Sequence, residues 1–149
     1  MSNPIELEGR WRVVCHDEHG NFKQEVYGKN VICTNGKEFL ASFLSSAAAG
    51  ASTFTMRYIG VGTDATAEAA ANTALGAEVN RLSGTVSYVS NQIFQVKATF
   101  AAGSATGAIA EYGLFSSSTG GTMLSRDTES VINVGASDTL TVTLQITLS

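Results

Sequence analysis

The sequence predicts an all-β fold: a single-domain antiparallel β-sandwich over residues 1–149, jelly-roll-like, with about eight strands and one short helix near 36–47. Three observations carry this expectation. Apolar and polar residues alternate strictly in several segments, which is the period of a strand with one buried face. Short turns rich in Gly, Asn and Ser separate these segments. Charged residues make up only 15% of the chain, too few for the solvated surface of a helical bundle.

The elements follow in order. Ile5, Leu7, Gly9, Trp11, Val13 and Cys15 alternate with Glu6, Glu8, Arg10, Arg12 and His16, with Val14 the exception. Residues 5–16 are therefore a strand whose charged face points outward. After a turn at HGN (19–21), residues 22–33 form the return arm of a hairpin, with Gly28 in the position of a bulge. Phe39, Leu40, Phe43 and Leu44 fall at helical spacing behind Asn35, an N-cap residue type, and this helix is expected to close one end of the sandwich. Further strands are expected over 54–61, 82–89, 93–100, 108–116, 122–132 and 139–148. The last is the most regular, with Leu140, Val142, Leu144, Ile146 and Leu148 alternating with Thr and Gln. Residues 63–80 are Ala-rich with weak helical tendency around 73–79, and the apolar character of 63–75 suits contact with a neighbouring subunit.

The most chemical stretch is VVCHDEHGNF, residues 13–22, which holds both histidines of the chain. Cys15, His16, Asp17 and His19 are residue types that zinc or copper accepts. Strand alternation sends Cys15 inward and His16 outward, so the two do not share an ion, and Asp17, Gly20 and Asn21 read as a hairpin connection. No metal site or cofactor is expected. Cys15 and Cys33 fall at opposite ends of the hairpin, beyond disulfide reach, and read as separate buried thiols of a protein made in a cytoplasm. IGVGTDAT (59–66) has a Gly-x-Gly after a strand, but the third glycine of a dinucleotide loop is replaced by Ala65 and no βαβ pattern surrounds it. There is no Gly-x-Ser-x-Gly elbow. The acidic residues Glu38, Glu68, Glu78, Glu111, Asp127, Glu129 and Asp138 are dispersed, so no catalytic residue is expected. The net charge of −4, with nine Lys and Arg in no run, argues against nucleic acid. No stretch has the ~18–20 apolar residues of a membrane span, and the N-terminus lacks the pattern of a secretory signal.

Four stretches carry a resemblance: YIGVGTDAT (58–66), TALGAEVNRL (73–82), GAIAEYGLFSSSTGGTMLSR (107–126) and VINVGASDTLTVTLQITLS (131–149). With LEGRWRVVCHDEHGN (7–21) and VICTNGKEFLASFL (31–44), they make the chain resemble small virion structural proteins of tailed bacteriophages, nearly end to end. The resemblance implies a capsid cement, or decoration, protein on the outside of the shell, assembled in the host cytoplasm. Its partners would be the major capsid protein and itself, as homodimer or homotrimer, and it would have no catalytic residue. Similar modules occur in tail fibres and baseplates, which is the alternative location. The expected subunit-contact surface is the outward stripe Glu6, Glu8, Arg10 and Arg12 together with His16 and His19 at the hairpin tip.

Overall fold

The two most regular alternating segments become neighbours at the centre of the sheet. In a computed structural model that describes residues 6–45, 56–90 and 92–148, β1 (Leu7–His16) pairs antiparallel with β9 (Thr139–Leu148) without a break, from Leu7↔Leu148 to His16↔Thr139. The other elements are β2 (Phe22–Ile32), α1 (Thr34–Ser45), β3 (Tyr58–Gly62), β4 (Glu78–Ser83), β5 (Thr85–Ser90), β6 (Ile93–Phe100), β7 (Gly107–Phe115) and β8 (Met123–Val134). All nine strands belong to one antiparallel sheet in the order β4-β3-β7-β8-β2-β1-β9-β6-β5.

The sheet curls into a half-barrel so that its two ends face one another across a shared core. Trp11 and Val13 of β1, Phe100 of β6 and Leu144 of β9 meet Ile59 of β3, Tyr112 and Leu114 of β7 and Ile132 of β8 in one cluster. The rings of Trp11 and Tyr112 lie 5.9 Å apart across it. Each such fully buried large side chain contributes about 1.5–3 kcal/mol, so the alternation read from the sequence is the main stabilising term.

The curl turns at two corners. At one, β2 leaves β1 and pairs with β8 only at Val31↔Arg126 and Ile32↔Ser125. At the other, β4 and β5, the two edge strands of the sheet, follow one another through Gly84. The Gly84 N–H donates to the Arg57 carbonyl at 2.6 Å, and a Cβ there would meet Val96 Cγ1 at 2.7 Å, so only glycine fits the corner.

Several expectations are corrected. Among the described residues there are nine strands because residues 78–83, expected partly within an Ala-rich helical stretch, form β4. Tertiary contacts override that weak propensity. Arg81 pairs with Glu78 through two hydrogen bonds (2.9 and 2.7 Å), stacks 3.4 Å above the Phe115 ring and donates to the carbonyls of Ser117 and Gly120. The helix begins at Thr34, ahead of Asn35, because the Lys37 N–H already bonds to the Cys33 carbonyl at 3.1 Å. Gly28 is not a bulge: the β1–β2 register runs evenly from Gly9↔Asn30 to Cys15↔Gln24. Residues 46–47 of the expected helix, 54–55 of the expected strand and Ile5 lie outside the described residues.

The HDEHGN connection is a turn held by Asp17. Its Oδ1 accepts the N–H groups of His19 (2.9 Å) and Asn21 (2.8 Å), its Oδ2 accepts the Asn21 side chain, and Gly20 takes φ 79°. These bonds, the Asn21 backbone first, hold the Asp17 carboxyl below its usual range. Both cysteines are buried free thiols, with Cys15 opposite Gln24 and Cys33 in a small separate cluster with Leu75, Phe115 and Met123.

Candidate functional site

The register across β2, β1, β9 and β6 assembles a charged outer face. Arg10 stands opposite Lys29 on one side and Gln145 on the other; Arg12 stands likewise between Tyr27 and Thr143. Gln145 and Thr143 in turn face Gln95 and Lys97 of β6. The result is a shallow cradle of about 470 Å³ with β9 as its floor, arginines along one wall and Lys97 along the other.

Its charges are only half neutralised. Glu8 pairs with Arg10 (3.1 Å) and Lys29 (3.2 Å), while Arg12 pairs with Glu25 (2.6 Å). A hydrogen bond from Lys29, then the charges of Lys29 and Arg10, lower the Glu8 carboxyl below its ordinary range. The Tyr27 hydroxyl, then Arg12, do the same for Glu25, and Glu25 raises Arg12 in return. Lys97 takes part in none of these pairs. Four cations thus stand against two carboxylates on one face of a chain whose net charge is −4.

Of the residues expected to form the contact surface, Glu8, Arg10 and Arg12 are brought together here. Glu6 is exposed just before β1 begins. His16 and His19 lie apart, at the far end of the hairpin: His16 is half-buried opposite Phe22 and Thr139, and His19 is exposed with its Nε2 3.5 Å from Glu18. Among the described residues no three His, Cys, Asp or Glu side chains converge as a metal centre would need, and no helix is long and apolar enough to cross a membrane.

A second ionic group, missed in the sequence, is buried beneath residues 63–77. Arg126 of β8 donates through Nε (3.0 Å) and Nη2 (2.9 Å) to Oε2 of Glu111 on β7. Its Nη1 donates to the Thr66 carbonyl and to Asn72 Oδ1, both at 3.2 Å, and Nη2 lies 3.4 Å from Asp64 Oδ2. Glu111 accepts the backbone N–H groups of Gly76 (2.8 Å) and Ala77 (2.7 Å). The loop closes on itself where the Thr63 N–H meets the Ala77 carbonyl at 3.0 Å. The Ala-rich segment, read from the sequence as suited to a neighbouring subunit, is anchored to its own sheet. Dispersed positions 64, 72, 111 and 126 meet only in space. The sole hint was two charged residues inside strands otherwise covered on both faces.

Comparisons with protein-family models, curated proteins and solved structures return no match for this chain.

Proposed function

We propose that this protein is a bacteriophage capsid cement (decoration) protein, which binds the outside of the shell and bridges major capsid subunits by protein–protein contacts without catalysis. The sequence resemblance supplies the class, and the half-neutralised cradle is the observation that carries the reading. Its Thr residues offer hydrogen bonds at little cost in side-chain entropy, Gln145 is already ordered by its bond to Gln95, and its surplus of cations suits an acidic patch on a capsid subunit. The chain would act as a homodimer or homotrimer, and the two halves of its curled sheet would serve as the layers of a jelly-roll-like sandwich. Binding by such a face weakens as salt shortens the screening length, about 10 Å at 0.1 M.

The test is co-sedimentation with purified shells assembled without the protein. The wild type is expected to pellet with shells and to raise their resistance to heat, and the Arg10→Glu/Arg12→Glu variant to remain in the supernatant. Wild-type protein that ignores shells but co-purifies with tails would move the assignment to a tail module. Binding unaffected by the double charge reversal would remove the cradle from the interface.

A further inference from the structure

The corner between β2 and β8 carries a second set of acids, on its inward side. The β2–β8 ladder consists of Val31↔Arg126 and Ile32↔Ser125. Continued by one more step it sets Asn30 beside Asp127, and by three it sets Gly28 beside Glu129, and there the hydrogen-bonded pairing has stopped. Asp127 is directly opposite Tyr112 of β7, so it shares the core face with that ring, while its neighbour Arg126 points to the other face and is occupied by Glu111. The space that a Cβ on Gly28 would take is filled by Glu129 Oε1 and Asp127 Oδ2, which places the two carboxyl groups side by side over one backbone position.

Within this inward site no protein group pairs with the buried carboxyl. Asp127 is fully buried, and neither of its oxygens has a hydrogen-bond partner. The same holds for the polar atoms around it: Tyr112 Oη, Trp11 Nε1, Ser125 Oγ and the Asn30 amide. The titratable group that bears on both carboxyls is Glu68, which hydrogen-bonds Thr128 Oγ1; Tyr112 from β7 faces Asp127, and neither is a cation. Two adjacent carboxyl groups, one fully buried and the other half-buried, with no cation beside them, do not readily ionise together.

We infer that Asp127 and Glu129 hold one proton between them over Gly28, and that this proton latches the β2–β8 corner on which the curl of the sheet depends. While it is bound, the pair is a neutral acid beside a single carboxylate. When it leaves to water by way of the half-buried Glu129, two adjacent anions of β8 are held under Gly28 of β2, and parting β2 from β8 lets water reach them. One proton is released for each corner that opens.

The acidities agree in direction. Burial first, then the charges of Glu129 and Glu68, push the Asp127 carboxyl up to about 8 against a weaker lowering by the Thr128 backbone N–H, and burial followed by Glu68 raises Glu129. Burial, then Asp127 and Glu129, keeps the Tyr112 hydroxyl neutral. Because the folded Asp127 holds its proton far above its unfolded value of 3.8, the native state binds more protons between that value and about 8. Its contribution is complete below the unfolded value, declines as pH rises and is lost once pH has passed the folded one. The latch is independent of any capsid partner.

The experiment is amide hydrogen exchange, corrected for the intrinsic rate, together with thermal melting from about pH 5 to about pH 9, with Asp127→Asn and Glu129→Gln beside the wild type. Wild-type protection at residues 28–32 and 125–129 should fall with pH, approaching tenfold per pH unit in the steepest region, and the melting temperature should fall with it. Asp127→Asn, which mimics the protonated acid, should hold both nearly constant and melt above the wild type at the alkaline end. If that variant fails to fold, Glu129→Gln decides, since without the neighbouring charge Asp127 should ionise at lower pH and the decline in protection should level off earlier. Wild-type slopes retained in the variants would overturn the inference. So would restoration of wild-type corner protection at about pH 9 by added Mg²⁺ or Ca²⁺, which would make the pair a cation site.

Discussion

Arg12 and Arg126 make the same kind of bond in opposite surroundings. Arg12 meets Glu25 at 2.6 Å with its side chain 55% exposed, whereas Arg126 meets Glu111 at 2.9 Å with its side chain 3% exposed. The shorter pair contributes less to the fold. Water and salt screen it, and ordering two long side chains costs entropy. The buried pair has already left its hydration behind, so each partner depends on the other and on the loop groups that complete the shell. Burial makes one pair an obligation of the fold and leaves the other free to exchange its partner for another molecule.

The comparison breaks most sharply at Arg126. Arg126→Met leaves Glu111 charged and unpaired, which is expected to cost about 3–5 kcal/mol. Urea unfolding would measure that loss, and limited proteolysis should then cut within 63–77, a segment the wild type protects. Removing both charges, as Glu111→Leu/Arg126→Met, should cost less than the single change because no buried charge is stranded. It should not recover wild-type stability, since the Gly76 and Ala77 N–H groups lose their acceptor. A double variant less stable than Arg126→Met would show that the carboxylate matters to the loop more than its charge balance does.

Acid should release the same loop more gently. The Thr66 hydroxyl and N–H, and then Arg126, hold the Asp64 carboxyl below its usual range. Its contribution is therefore present above the unfolded value of 3.8 and lost as pH falls through the lower folded one. Hydrogen exchange at 63–77 should rise at that acidic end, and Asp64→Asn should flatten the rise. The smallest effect on stability belongs to Arg12. Arg12→Ala should leave the melting temperature unchanged within error while weakening attachment to shells, and a clear fall in melting temperature would erase the contrast with Arg126.

Much of this architecture was legible because a strand with one wet face writes its period into the chain. β1, β6 and β9 show it, and their inward residues Trp11, Val96 and Leu144 are buried as the alternation requires. β4 was not legible, since its placement rests on Arg81 reaching Phe115, Ser117 and Gly120, contacts far along the chain. The stripe at Glu8, Arg10 and Arg12 could be read from one strand, but Lys29, Lys97, Gln95 and Gln145 complete the cradle only through register. Asp127 and Glu129 sit two apart in a strand, which places them on one side of it. Which side is buried was not written there, because β8 is covered on one face by the core and on the other by the anchored loop.

Gly84 joins the two edges of the sheet. A sheet normally has two separate edges, each open to pairing with another chain. Here both edges are consecutive pieces of one stretch, β4 and β5, divided by that single residue. β5 carries no charge, and its Val86, Tyr88 and Val89 are exposed, so its sequence offers little deterrent to an incoming strand. A side chain at 84 would collide with Val96 and the backbone of Lys97 and Arg57. It would loosen both edges at once, so the fit of both edge strands depends on one position without a side chain.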